Sequence, residues 1–214
     1  LRYLPGYRVT EQTTLKDIDL SFITITSTNN EEIPVTVNGN IIRCYNSKAP
    51  NINLIYDMEK NGATGIHLES GSSIFVHPDC GVKNAGLHGI HFIQSSGTIL
   101  KTVFTGSLGC GVRLTQSSNV TAMGADASYS GLDGFFVTRT SLLHINELDD
   151  RKSKATNCGG AGINCSAARV SANGAILTHN NRGIIVANGG VVSGLDSVDC
   201  SYSEVDGDLA EGGV

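Results

Sequence analysis

Along most of the chain a glycine opens a short run in which apolar and polar positions alternate, and the run recurs at a near-constant interval. Gly65-Ile-His-Leu, Gly89-Ile-His-Phe, Gly111-Val-Arg-Leu, Gly134-Phe-Phe-Val, Gly162-Ile-Asn-Cys and Gly183-Ile-Ile-Val share the order glycine, apolar, variable, apolar. Alternation with period two predicts a strand with one buried face. The glycines lie 24, 22, 23, 28 and 21 residues apart, and Gly207 follows after 24 more with the same lead-in but not the same strand. One unit returns nearly verbatim, Asp126-Ala-Ser-Tyr-Ser-Gly-Leu-Asp-Gly134 against Asp199-Cys-Ser-Tyr-Ser-Glu-Val-Asp-Gly207. Such a period is the signature of a repeat architecture.

Inside each repeat a second apolar segment follows: Ile74–Val76, Ile99–Leu100, Val120–Ala122, Leu143–Ile145, Val170–Ala172 and Val191–Val192. A third, shorter one precedes the next corner, as at Val103–Phe104, Ile176–Leu177 and Leu195. No Asn-Gly or Asp-Gly links adjacent strands as a tight hairpin would require. Three short strands in about 22 residues describe one coil of an all-β parallel β-helix. Its coils stack at the strand spacing of roughly 4.8 Å, so equivalent positions form ladders. The inward ladders read Ile66, Ile90, Val112, Phe135, Ile163, Ile184 and Leu68, Phe92, Leu114, Val137, Cys165, Val186. Every member is apolar, whereas a slip of one residue would bury the polar set. The first part of the chain is less regular, so residues 1–38 are expected as a lead-in or capping segment and 39–214 as the solenoid. The acidic close, Glu204 to Val214, resembles the start of a further, truncated coil.

Composition narrows the function classes. Hydrophobic residues make up 40% and charged residues 16%, with 26 glycines and only 4 prolines, which suits many tight corners. A net charge of −5 gives no electrostatic reason for a nucleic-acid or anionic-membrane partner. No apolar run reaches the ~20 residues of a membrane helix and no signal peptide opens the chain. Leu1 in place of Met suggests a fragment or processed product. The six cysteines show no zinc-like spacing and sit among small or apolar residues, which predicts buried free thiols and assembly in a reducing cytoplasm. No cofactor or metal is expected.

The coil pattern of residues 39–207 resembles the right-handed parallel β-helix of bacteriophage tailspike and tail-fibre proteins. The wider pectin-lyase-like class shares this architecture, but the Asn-Thr-Asp, Gly-His-Gly and Arg-Ile-Lys motifs of polygalacturonases and the motifs of calcium pectate lyases are absent. The tailspike resemblance implies a homotrimer in a virion tail, in contact with other tail proteins. Its lateral face would bind, and often cleave, a bacterial surface polysaccharide such as capsule or lipopolysaccharide.

Candidate chemistry lies on outward positions. The residue two after each repeated glycine reads His67, His91, Arg113, Phe136, Asn164, Ile185, and its basic half suits an acidic glycan while its apolar half suits a neighbouring subunit. The same row also fits a plain solvated strand face. His67 and His91 lack the further ligands that a metal needs. The 28-residue interval carries the most charged segment, Asn146 to Lys154, and must leave the coil as a loop. Asp126 and Asp149 each lie 15 residues after their repeat glycine, which predicts carboxylates on neighbouring coils about one strand spacing apart. Paired carboxyl groups are the requirement of a glycosidase, with Glu147 or Asp150 as partner. A self-paired, soluble loop is the competing reading. Tyr129, Phe136 and Tyr202 are candidate sugar-stacking platforms, a packing role suiting the two tyrosines equally. His144 and Arg151 complete the candidate substrate contacts, and a lyase would draw its base from His144 or Lys152. Asp133 and Asp206 are read as turn residues before a glycine free to take positive φ. The function expected is therefore recognition, and possible hydrolysis, of a surface polysaccharide, with a non-enzymatic structural or receptor-binding segment as alternative.

Overall fold

The computed structural model describes residues 1–209 and shows a parallel β-helix of about 23 residues per coil. One long sheet takes a strand from each coil: Thr13–Lys16, Ile42–Tyr45, Ile66–Glu69, Ile90–Ile93, Val112–Thr115, Phe135–Thr138, Ala161–Ser166, Arg182–Ala187 and Val205–Leu209. A second sheet collects Ser73–Phe75, Ser96–Thr98, Asn119–Thr121, Leu142–His144, Arg169–Ser171 and Val191–Ser193. A third holds Ile33–Pro34, Ile55–Asp57, Gly81–Lys83 and Val103–Thr105, and bridges carry it on through Asp126, Lys154, Ile176 and Asp199. All pairings between these strands are parallel, so each strand bonds to the coils above and below rather than to its sequence neighbour.

The expected ladders are present residue for residue. Ile66 pairs with Ile90, Ile90 with Val112, Val112 with Phe135, Phe135 with Ile163 and Ile163 with Ile184. Leu68, Phe92, Leu114, Val137, Cys165 and Val186 stack alongside, and all twelve side chains are buried. Burying such a side chain contributes roughly 1.5–3 kcal/mol, which makes the repeating core the main source of stability. Where one coil carries a large residue another position yields: a Cβ on Gly97 would meet the Phe92 ring at 2.6 Å.

Three expectations need correction. Pairing runs straight through residue 38: Thr13–Lys16 joins Ile42–Tyr45, and Arg2–Tyr3 joins Thr24–Ser27, so the first residues already wind as coil. The second segment of the Gly89 coil is Ser96–Thr98, ahead of Ile99 and Leu100. Finally, the repeated glycines are not at positive φ. They are needed because adjacent coils leave no room, a Cβ on Gly89 falling 2.6 Å from the Gly111 oxygen and one on Gly134 falling 2.3 Å from the Ala155 Cβ. Of the acidic close, Val205–Leu209 adds a strand to the long sheet with Gly207 opposite Ile184, while residues 210–214 lie outside the described residues.

Two polar columns stabilise the corners. Ser47, Ser72, Ser95, Ser118 and Ser141 form a buried row beside the long sheet. The Ser118 hydroxyl donates to Thr115 O at 2.7 Å and accepts from Ser95 N at 3.3 Å, and Ser141 Oγ accepts from Ser118 N at 3.2 Å. At the opposite end of the strands, side chains on every second coil cap the next coil's backbone. Thr64 N donates to Asn40 Oδ1 at 3.1 Å, Cys110 N to His88 Nδ1 at 2.9 Å and Ala161 N to Asp133 Oδ1 at 2.7 Å. Buried backbone donors need such acceptors, which makes Asp133 structural as expected, though for a different reason.

Candidate functional site

The outer face of the long sheet brings four of the expected substrate residues into one row. Arg43 pairs with His67, His67 with His91, His91 with Arg113 and Arg113 with Phe136, followed by Asn164. The side chains lie along the sheet and cover one another. The His67 and His91 rings are 5.1 Å apart edge to face, and His88 reaches within 5.6 Å of His91. The Arg113 guanidinium stacks 4.9 Å from the Phe136 ring centre. Glu69 neutralises the lower end: Arg43 donates to its carboxylate at 2.9 Å, and His67 Nε2 lies 2.7 Å from the same oxygen without the alignment of a hydrogen bond.

The upper end has too many donors. His88 Nδ1 accepts Cys110 N, yet His88 Nε2 also lies 2.9 Å from Arg113 Nη1. A neutral imidazole offers a single acceptor nitrogen, so one of these contacts sets two N–H groups against each other, and a protonated ring would oppose both. Arg113 Nε is buried with no partner at all. Burial, reinforced by the Arg113 charge and the other histidines, pushes His88 down to about 4 and His91 to about 3, and burial also lowers His67 against the pull of Glu69. Three neutral imidazoles therefore flank an arginine whose hydrogen bonds are incompletely used.

The expected carboxylate pair does not form. Asp126 lies opposite Val103 and Lys154, not Asp149, and its carboxylate accepts Ser128 N at 3.0 Å in a local turn. Counting fifteen residues from the glycine fails because the extra residues enter before that point. Asp149 and Asp150, with φ of 48° and 60°, are the tip of a tight hairpin closed by Leu148 and Arg151, whose N–H and C=O groups exchange bonds at 3.0 Å. This hairpin folds back along the solenoid corner. Asp149 pairs with Lys101 at 2.9 Å, and Arg151 reaches Asp79. Glu147 lies over Gly174 in the following coil, and Asp150 is exposed. The segment is a strap rather than a two-carboxylate centre.

The remaining expected contacts are dispersed. His144 stands in the second sheet between Thr121 and Ser171. Tyr129 and Tyr202 occupy equivalent corners at φ of 60° and are 64% and 80% exposed, so neither is a core residue, although Tyr202 stacks on His179 at 4.9 Å. Cys44, Cys80, Cys110, Cys158 and Cys165 are free and buried, and burial drives Cys44 and Cys110 up to about 12, far from a reactive thiolate. Among the described residues no group of three His, Cys, Asp or Glu side chains could hold a metal ion.

Two comparisons with known proteins bear on this geometry. The family model for the right handed beta helix region matches residues 28–196. The chain belongs to that family. Membership accounts for the coils, but a β-helix hosts many activities, so the function rests on the site. No curated protein matches the chain. Among solved structures, HetL is similar over 98% of this chain and 94% of its own, at 15% identity and a TM-score of 0.36. HetL is a pentapeptide repeat protein involved in heterocyst differentiation regulation, from the cyanobacterium Nostoc sp. strain PCC 7120. A likeness at that level says nothing about what this β-helix does. Neither finding supports a tailspike identity.

The sequence reading missed Arg43, Glu69 and His88, which complete the cluster. Glu69 and Arg43 were reachable, since they lie in the strands of the same ladder, four residues after Gly65 and one coil below His67. His88 immediately precedes a repeat glycine, a position the alternation assigns to a corner.

Proposed function

We propose that this β-helix recognises an acidic polysaccharide along the outer face of its long sheet, with Arg113 as the central contact. The observation that carries the reading is the unneutralised charge of Arg113: among the described residues no carboxylate lies within ion-pair distance of its guanidinium, whose Nη1 faces an imidazole already in use. A carboxylate or other anionic sugar substituent offers the outer, accessible part of the guanidinium a charge-assisted acceptor, while the buried Nε stays out of its reach. Phe136 offers an apolar ring next to it, and the neutral histidines add hydrogen-bonding groups without repelling the sugar. The surroundings agree. In a chain of net charge −5, the stretches 90–101, 112–121, 135–145, 161–173 and 182–193 contain no Asp or Glu, while they hold His91, Lys101, Arg113, Arg139, His144, Arg169 and Arg182. These stretches form the long sheet, the second sheet and the corner between them over five coils.

Calorimetric titration with an oligogalacturonate and with a neutral maltooligosaccharide tests the reading. Binding is expected for the acidic oligomer alone, to weaken as salt is raised, and to fall at least tenfold in Arg113→Gln. Equal binding of the neutral oligomer, or indifference to Arg113→Gln, would refute it. The absent carboxylate pair favours binding over hydrolysis. One second reading is a uronate lyase in which a base such as His144, on the neighbouring second sheet, takes the sugar C5 proton while the C4–oxygen bond breaks and the departing oxygen is protonated from solvent. The unsaturated product would be read by its ultraviolet absorbance.

The tailspike resemblance extends this proposal to a capsule or lipopolysaccharide as ligand and to a homotrimer in a virion tail. Sedimentation at several concentrations tests the trimer, and a strict monomer counts against the virion role.

A further inference from the structure

The buried serine row ends two coils before the second sheet does. After Ser118 and Ser141 the next position is Ala168, and its neighbour Ala167 stands where earlier coils carry the longer Gln94 and Gln116. The small side chains leave a hollow of about 520 Å³ at the corner between the long and second sheets, lined among others by Thr140, Leu142, Ala167, Arg169, Asn188 and Gly189. Arg169 projects from the second sheet between Leu142 and Val191 and is exposed. Among the described residues its guanidinium has no hydrogen-bond or ion-pair partner, and neither has that of Arg139, which precedes Thr140 on the same corner. The Thr140 hydroxyl and the Asn188 amide add polar groups at the rim, already tied to Ser117 and Ser166 at 2.8 Å and so held in place. Leu142 provides an apolar floor.

We infer that this hollow is a second subsite for an anionic sugar unit, with Arg169 binding its acidic group and the Leu142 surface carrying the ring. The inference rests on the acidic-polysaccharide reading of the Arg113 ladder and names how the polymer lies. Arg169 belongs to the coil of Asn164, two coils beyond Arg113, a step of roughly 10 Å along the solenoid axis at the strand spacing. A polymer running along that axis, across the acid-free stretches of the long and second sheets, places one acidic residue at Arg113 and a later one in the hollow. A carboxylate and a sulfate group share the chemistry that an exposed guanidinium recognises.

The test uses the intact chain and two variants. Arg169→Gln removes the charge. Ala167→Gln fills the hollow with a residue that Gln94 and Gln116 show is accepted at the same column position and backbone conformation, φ of 48° and 56° against 48° for Ala167. Each variant is titrated with an oligogalacturonate of six or so units, with its dimer, with a sulfated oligosaccharide of the longer length, and with single-stranded DNA. Both variants are expected to weaken the long oligouronate at least fivefold and to leave the dimer, which Arg113 holds alone, unchanged. Stronger binding of the sulfated oligomer than of the uronate, lost in both variants, assigns the subsite to sulfate within the same proposal. Unchanged binding of the long oligomers in both variants, with Arg113→Gln still damaging, overturns the subsite and leaves the ladder reading standing. No binding of any acidic oligosaccharide by the parent chain removes both. DNA bound as tightly as the oligosaccharides, with the same sensitivity to Arg169→Gln, overturns the sugar subsite in favour of a general polyanion surface.

Discussion

Lowering the pH from 7 to 5 perturbs the imidazole cluster in a way its geometry makes calculable. In the unfolded chain each histidine titrates near its ordinary value of 6.5, whereas the fold holds His88 down to about 4 and His91 to about 3. Between those limits the unfolded state binds more protons than the folded one, so stability falls as the pH drops below 6.5 and keeps falling to the folded values. At pH 5 each group lies 1.5 units below its unfolded value, which at about 1.36 kcal/mol per unit gives roughly 2 kcal/mol apiece. Discounting half-buried His91 for solvent screening leaves a joint loss of about 3 kcal/mol, a large part of a typical stability of 5–15 kcal/mol. His67, also lowered, adds in the same direction. Asp133 works the other way, because burial raises its folded value above 3.8 and the fold then takes up that proton first, offsetting part of the loss as the pH approaches its raised value. Urea unfolding at pH 7 and pH 5 measures the difference. His88→Asn is the informative variant, since Asn40 already caps the next coil from the same column and so shows that the shape is tolerated. It should remove more than half of the acid-induced loss. A midpoint that does not move between pH 7 and 5, or a loss that persists in a His88→Asn, His91→Asn double variant, would refute the account.

Other consequences follow from the coil packing. Gly134→Ala forces a methyl group against Ala155 and should destabilise by about 1–3 kcal/mol in urea unfolding, even though the backbone there suits any residue. Phe92→Ala, which empties a core position braced by Gly97, should cost about 3–5 kcal/mol. Asp126→Asn and Asp149→Asn, separately or together, should leave oligouronate affinity unchanged and stability within about 0.5 kcal/mol, because one carboxylate serves a local turn and the other an exposed ion pair. A thiol reagent should label half-exposed Cys200 first and the five buried cysteines only on unfolding.

How much of this was legible beforehand can be judged from particular residues. The alternation around each glycine determined the inward ladders, because only one register buries every apolar member, and the row His67, His91, Arg113, Phe136 followed from the same count. The Asp126 and Asp149 pairing failed on that very arithmetic, since a period says that residues were inserted but not where the chain leaves the coil. Cys80, Cys110 and Cys158 were readable as buried thiols from their small neighbours alone.

What the sequence determined by itself was thus the period, the core and the identity of each outward row, all of them consequences of repetition in a chain whose buried positions must be apolar. The tertiary structure decided the rest: that the repeat glycines answer to crowding between coils and not to turn conformation, that the charged insertion is a strap across the corner, and that His88 swings from a capping position into contact with Arg113. These depend on distances between side chains of successive coils, which a repeat unit places in register but does not bring to a given separation or angle.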